Sequence, residues 1–227
     1  MSNLFEIVSK GGPVMVPLGV LSIATIACAL ERTVFWVKLM RAEAQVAHDV
    51  LEAARYSLHD ARAIAERANA LPIGRFLLTP LQLNKPSPET FRLAMETAGD
   101  EEFSRMRKGD KLLETVVALA PLLGLLGTVT GLMSTFSSLN IGGGGGAEST
   151  TKAAAGIGEA LTATAAGMVI AILALVIFRV CVTMQSNQME YFSKVGSQLE
   201  LVYRQVWYEP YLSDHAQMVT SDLPFRN

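Results

Sequence analysis

The sequence predicts an all-α integral membrane protein with three transmembrane helices, two of them extended far into the cytoplasm. Three observations predict it. Half of the 227 residues are hydrophobic and only 18% are charged, a balance too apolar for a soluble domain of this length. Three uncharged windows, 11–30, 115–147 and 160–178, stand out, and a helix needs roughly 20 apolar residues to cross a bilayer. Two stretches, APLLGLLGTVTG at 120–131 and GIGEALTATAAG at 156–167, are crowded with Gly, Ala and Thr where an ordinary spanning helix would carry Leu and Val. Small residues let helix backbones approach closely, and hydroxyls cross-link helices or hold water.

Residues 1–12 read as a short external segment with Leu4, Phe5, Ile7 and Val8 suited to lie on the membrane. The first span covers 13–37: Pro13 and Pro17 stand at its start, where a missing N–H costs least, with Trp36 as interface anchor and Lys38 snorkelling. No basic segment precedes this run, so it reads as a retained span and not as a cleaved signal. Residues 38–111 form a helical loop. Val46, Val50, Leu51, Ala54 and Leu58 recur at helical spacing within a single helix over 42–70, and breaks follow at 71–74 and 84–88. Ser87, Pro88 and Glu89 supply a cap, a first-turn proline and an acid at the positive dipole end. No strong breaker follows before Pro121, so the expected helix runs unbroken from Pro88 into the second span, 112–139. Five glycines at 142–146 make 140–155 a short loop with a flexible linker. The third span, 156–179, continues as a helix over 180–208, and 209–227 reads as a flexible tail.

Orientation follows from the basic residues. Seventeen of the 19 Lys and Arg fall in the large loop, in the C-terminal tail or at Arg32, leaving only Lys10 and Lys152 on the other side. The N-terminus and glycine loop therefore face out, and the large loop and C-terminus face the cytoplasm. A reducing compartment there leaves Cys28 and Cys181 as small apolar residues. The net charge of −2 says nothing further about a partner, and no nucleic acid is expected; membrane lipids are.

Candidate functional residues lie in the two small-residue stretches. Thr128 sits near the middle of the second span and Thr164 about 10 Å inside the outer end of the third, at broadly similar depth. They read either as a polar patch facing a wet cavity or as hydroxyls bonded to their own i−4 carbonyls in a tight seam. Gly124, Gly127 and Gly131 on one span, and Ala160 and Gly167 on the other, read as packing positions. Thr130, Thr135 and Thr162 read as packing or lipid-edge residues. Glu159, near the outer start of the third span, is either a solvated glutamate favoured by a helix N-terminus or a gate acid for a cation. A step of five residues turns a helix by about 140°, so Glu159 and Thr164 share only a wide cavity. His48, His59 and His215 are isolated, and no CxxC pair or phosphate loop is present. No metal site, cofactor or enzymatic chemistry is expected.

These residues resemble the MotA/TolQ/ExbB family of proton-channel subunits, ExbB most of all. The run GGPVMVPL at 11–18, Glu31-Arg32 closing the first span, and the stretches at 120–131 and 156–167 carry the resemblance, which extends from about 10 to 205. It implies a homopentamer in the bacterial inner membrane whose second and third spans line a pore. That pore would hold single-span ExbD-type partners with a membrane aspartate, and a TonB-type protein would transmit the work. Thr128 and Thr164 then correspond to pore hydroxyls and Glu159 to the pore acid. A TolQ-type role in envelope integrity and division, and a non-conducting membrane scaffold, stand as alternatives.

Overall fold

The computed structural model describes residues 12–141 and 147–211. The expectations for 1–11, for the glycine run 142–146 and for 212–227 lie outside the described residues. The fold is all-helical: α1 (Met15–Ala54), α2 (Leu58–Arg67), α3 (Pro72–Leu81), α4 (Pro88–Met106), α5 (Asp110–Ile141) and α6 (Ala147–Val202), followed by a π-helical turn at Tyr203–Tyr208. Three of the helices are long and apolar enough to cross a membrane.

The chain divides into two compact units, Met1–Thr33 with Gly109–Val182 and Val34–Lys108 with Thr183–Asn227. In the first, apolar unit, only 22% of each candidate spanning window is buried. Ala120, Ala163 and Ala174 are fully enclosed, whereas Leu122, Leu161 and Ile172 are more than half exposed. Small side chains inside and large apolar ones outside suit an apolar surrounding and would be a liability in water.

The second, charged unit has an ordinary core of Leu39 from α1, Leu77 from α3, Phe91 and Met95 from α4, and Phe192 and Leu199 from α6. The ring of Phe192 lies 4.8 Å from that of Phe76 and 5.4 Å from that of Phe103. Trp36 is 5% exposed within this core, a correction to its reading as an interface anchor. Arg75 closes the unit by donating to both oxygens of buried Glu102, at 2.7 and 2.5 Å, and to the carbonyls of Asn69 and Ala70. Arg105 donates to Glu102 Oε1 as well, at 2.8 Å. In the π-helical turn, Tyr203 donates to the Pro86 carbonyl and its ring stacks on Phe91 at 4.3 Å, while Trp207 Nε1 donates to the Ala54 carbonyl.

Three helix boundaries differ from the sequence reading. The helix expected to run unbroken from Pro88 through the second span stops at Met106, and α5 starts at Asp110. Gly109 between them has φ +96, and a Cβ there would lie 3.1 Å from Cys28 Sγ, so the turn takes glycine for two separate reasons. The helix expected over 42–70 breaks at 55–57, where Ser57 Oγ accepts from the Asp60 N–H and starts α2. Conversely, no break separates the first span from the loop, because α1 runs 40 residues, roughly 60 Å. The helix of the third span continues over 180–208 as expected, α-helical to Val202 and π-helical over Tyr203–Tyr208. The two longest helices are thus α1 and α6, the latter with 56 residues, or roughly 84 Å. The start of α4 is as read: Ser87 Oγ accepts from the Thr90 N–H at 3.2 Å, with Pro88 in the first turn.

Candidate functional site

The apolar unit is organised by a seam between α5 and α6. A Cβ on Gly131 would lie 2.8 Å from Ala160 Cβ, one on Gly127 2.6 Å from Ala163 Cβ, and one on Gly124 3.0 Å from Thr164 Cα. From the other side, a Cβ on Gly167 would lie 2.5 Å from the Ala120 carbonyl oxygen. As the α5 number falls the α6 number rises, so the helices run antiparallel, and at these positions they meet through backbone and methyl groups. Gly124, Gly127, Gly131, Ala160 and Gly167 all stand on this seam. Their close approach is what lets dispersion between backbones hold helices together where lipid tails are as apolar as leucine.

Thr164 crosses the seam. Its hydroxyl donates to the Gly124 carbonyl at 2.7 Å, on the other helix, an arrangement outside both sequence readings. Thr128, half-buried, donates to its own helix at the Leu125 carbonyl, 2.7 Å away and three residues back. Each hydroxyl thereby commits its one proton and keeps its acceptor lone pairs. A group that approaches either threonine must bring a proton of its own, as a carboxylic acid or a water does.

Glu159 lies elsewhere. It lines a cleft of about 470 Å³ with Thr130, Ser134 and Thr135 of α5, Gly156 of α6 and Gly12 at the approach to α1. Neither Thr128 nor Thr164 lines this cleft. Thr130 donates to the Leu126 carbonyl and Thr135 to that of Gly131, so the Thr130 hydroxyl keeps its lone pairs here too. Together with the Glu159 carboxylate it gives the cleft acceptors suited to a hydrated cation or another proton donor. The reading of Glu159 as favoured by a helix N-terminus is corrected: α6 begins at Ala147, twelve residues earlier, and the dipole effect fades within a turn. Thr130 and Thr135, read from sequence as packing or lipid-edge positions, belong to the cleft. Thr135 follows Gly127 and Gly131 at four-residue steps, a spacing that places it on the glycine face. Among the described residues, no group of three or more His, Cys, Asp or Glu could hold a metal ion. Cys28 and Cys181 are both buried, and neither forms a disulfide.

Residues 68–194 match the MotA/TolQ/ExbB proton channel family. Biopolymer transport protein ExbB-like 1 of Synechocystis sp. is 64% identical over 202 residues, 89% of this chain and 80% of the relative. The chain belongs to this family. ExbB-like 3 of the same organism is 36% identical over 91% of this chain and 98% of its own length. The Tol-Pal system protein TolQ of Haemophilus influenzae is 32% identical over 56% of each chain. Family membership and three apolar helices together make this a multi-pass membrane protein of a channel and transport family, and the seam, the two threonines and the Glu159 cleft all fall within the matched residues except for Gly12, Pro13 and Val14 of the cleft.

Proposed function

We propose that this chain is the ExbB-like subunit of an inner-membrane proton-channel motor, which uses the proton motive force with an ExbD-type partner to energise TonB-dependent outer-membrane transport. The observation that carries the proposal is the Thr164–Gly124 bond beside Thr128 in a seam of glycine and alanine. It offers acceptor oxygens within uncharged spans, and the windows 115–147 and 160–178 contain no acid. The titrating group must then come from another chain, and a membrane aspartate on a single-span partner, protonated as it passes, supplies the donor these hydroxyls lack. Moving one charge through 100 mV is worth about 2.3 kcal/mol, enough to bias the rotation or shift of a helix against a ring. In this reading Thr128 and Thr164 face the partner in a pentameric pore, Glu159 admits the proton at the outer mouth, and the charged unit lies in the cytoplasm. The distribution of basic residues supports that orientation.

Native mass spectrometry of the complex, drawn from its own membranes in mild detergent, tests this. A ring of five chains holding a small single-span protein with a membrane aspartate is the expected result. A ring without such a partner would refute the motor and leave a scaffold. The similarity to TolQ favours one second reading, a stator for envelope integrity, and the identity of the captured partner separates the two.

A further inference from the structure

The buried face of α1 in the charged unit is a stripe of Trp36, Leu39, Glu43, Ala47, Val50 and Ala54, at steps of three and four residues. Five members are apolar and one is an acid. Glu43 is 4% exposed. Its Oε2 accepts from Gln188 Nε2 on α6, and Gln188 is itself only 8% exposed. Its Oε1 is buried without a hydrogen-bond partner. The N–H of Ile73, in the first turn of α3, also faces the carboxyl, and Leu71, which precedes that helix, makes no side-chain cap. The titratable group that interacts with Glu43 from α6 is the Tyr191 hydroxyl, and from α3 it is the Ile73 N–H that interacts with the carboxyl. Among the described side chains, none of the ion pairs formed by Lys or Arg involves Glu43.

We propose that Glu43 and Gln188 form an internal proton-binding site of the charged unit, whose ionisation loosens the joint of α1, α3 and α6. An isolated carboxylate in an apolar stripe is costly and takes up a proton instead. Burial pushes the Glu43 carboxyl up to about 7, against smaller opposing effects of the Gln188 and Ile73 hydrogen bonds. The Gln188 amide serves both forms, because its NH2 donates to a carboxylate and its carbonyl accepts from a carboxylic acid. When the proton leaves, a net charge remains with one side-chain donor and one free lone-pair oxygen, and water or local opening must solvate it. The site stands whether or not the chain works in a motor, since it uses no residue of the spans.

The test is made on the full chain in lipid nanodiscs by two measurements. Infrared difference spectra with isotope-labelled glutamate should show one carboxylic C=O band that titrates with a midpoint near 7 and is lost in Glu43→Gln. Gln188→Leu, which removes the donor to the charged form, should move that midpoint higher. Hydrogen exchange at the first turn of α3, corrected for the intrinsic pH effect, should speed up about tenfold per pH unit below the midpoint and level off above it. In Glu43→Gln this dependence should vanish. A wild-type band that titrates in the ordinary carboxylate range, or a spectrum that Glu43→Gln leaves unchanged, would overturn the proposal. Exchange that is equally pH-dependent in both proteins would overturn the coupling to the joint.

Discussion

Gly167→Ala puts the α5–α6 seam to a quantitative test. The added Cβ would lie 2.5 Å from the Ala120 carbonyl oxygen, 3.1 Å from Gly124 Cα and 3.2 Å from Gly124 N. All three are backbone atoms of a helix, so no side chain can swing aside. Carbon and carbonyl oxygen come no closer than about 3.3 Å even in a favourable C–H···O contact, so the two helices must part by most of an ångström. A gap of that size forfeits about a quarter to a half of each dispersion contact along the seam, and overpacking of this kind costs about 1–3 kcal/mol. Alanine meanwhile favours the helix over glycine by about 0.5–1 kcal/mol. Gly158→Ala is the matched control, because a Cβ there meets nothing within 4 Å and only the helix preference acts.

The quantity to measure is the difference between the two variants, which cancels the propensity gain and the unfolded-state reference. Unfolding in mixed micelles, or steric trapping in bicelles, should place Gly167→Ala below Gly158→Ala by about 1–3 kcal/mol. Gly131→Ala should fall on the Gly167 side, since its Cβ would lie 2.8 Å from the Ala160 methyl and 3.3 Å from Ala160 Cα. Equal stability of Gly167→Ala and Gly158→Ala would refute the seam and, with it, the close approach that lets Thr164 reach Gly124.

Three further outcomes are expected. Thr164→Val keeps the shape and removes the hydroxyl; interhelical hydrogen bonds in membranes average about 0.6 kcal/mol, so assembly should persist while proton-driven transport is lost, and Thr164→Ser should restore it. Normal transport by the valine variant would remove Thr164 from the pathway. Arg75→Met strips a bidentate partner from Glu102, whose side chain is only 4% exposed, and should destabilise the charged unit by about 3 kcal/mol; Arg75→Met with Glu102→Leu should recover much of that loss in a thermal melt, and equal melting of single and double variants would show that the pair is idle. The Glu43 carboxyl is raised from 4.5 to about 7, so its contribution to stability is full below pH 4.5 and declines as the pH rises through about 7. At about 1.4 kcal/mol per pH unit, the decline is about 3 kcal/mol, and a melting temperature in Glu43→Gln as pH-sensitive as the wild type would contradict it.

The three apolar helices and the small-residue seam were legible because each rests on a run of residues whose composition alone has a consequence. Twenty uncharged apolar residues have few places to go but a membrane, and Gly124, Gly127 and Gly131 at steps of three and four leave one face bare. What escaped were features set by single residues in polar surroundings. Gly109 follows Arg107 and Lys108 in a stretch that reads as ordinary solvated helix, and only the Cys28 side chain packed against it and its φ of +96 make it a turn. The placing of Glu159 at a helix N-terminus failed for a related reason: the apolar run begins near 160, but hydrogen bonding carries the helix back to Ala147, because a helix does not end where its hydrophobicity does.

Glu43 shows that a missed residue can still have left a signal. Within RAEAQVAHDV an acid looks like one more solvated charge, and the apolar spacing traced from Val46 onward passes it by. Extended back toward the first span, the same spacing runs through Trp36 and Leu39, and position 43 is where the next apolar residue is due. That projection depends on α1 being continuous across residue 38, which the charge pattern hid and the structure shows. An acid that falls on the apolar beat of a continuous helix must be paired, protonated or hydrated. Among the described side chains no cation pairs with it, its Oε1 has no hydrogen-bond partner, and its neighbours on the stripe are apolar, so a proton is what best satisfies it.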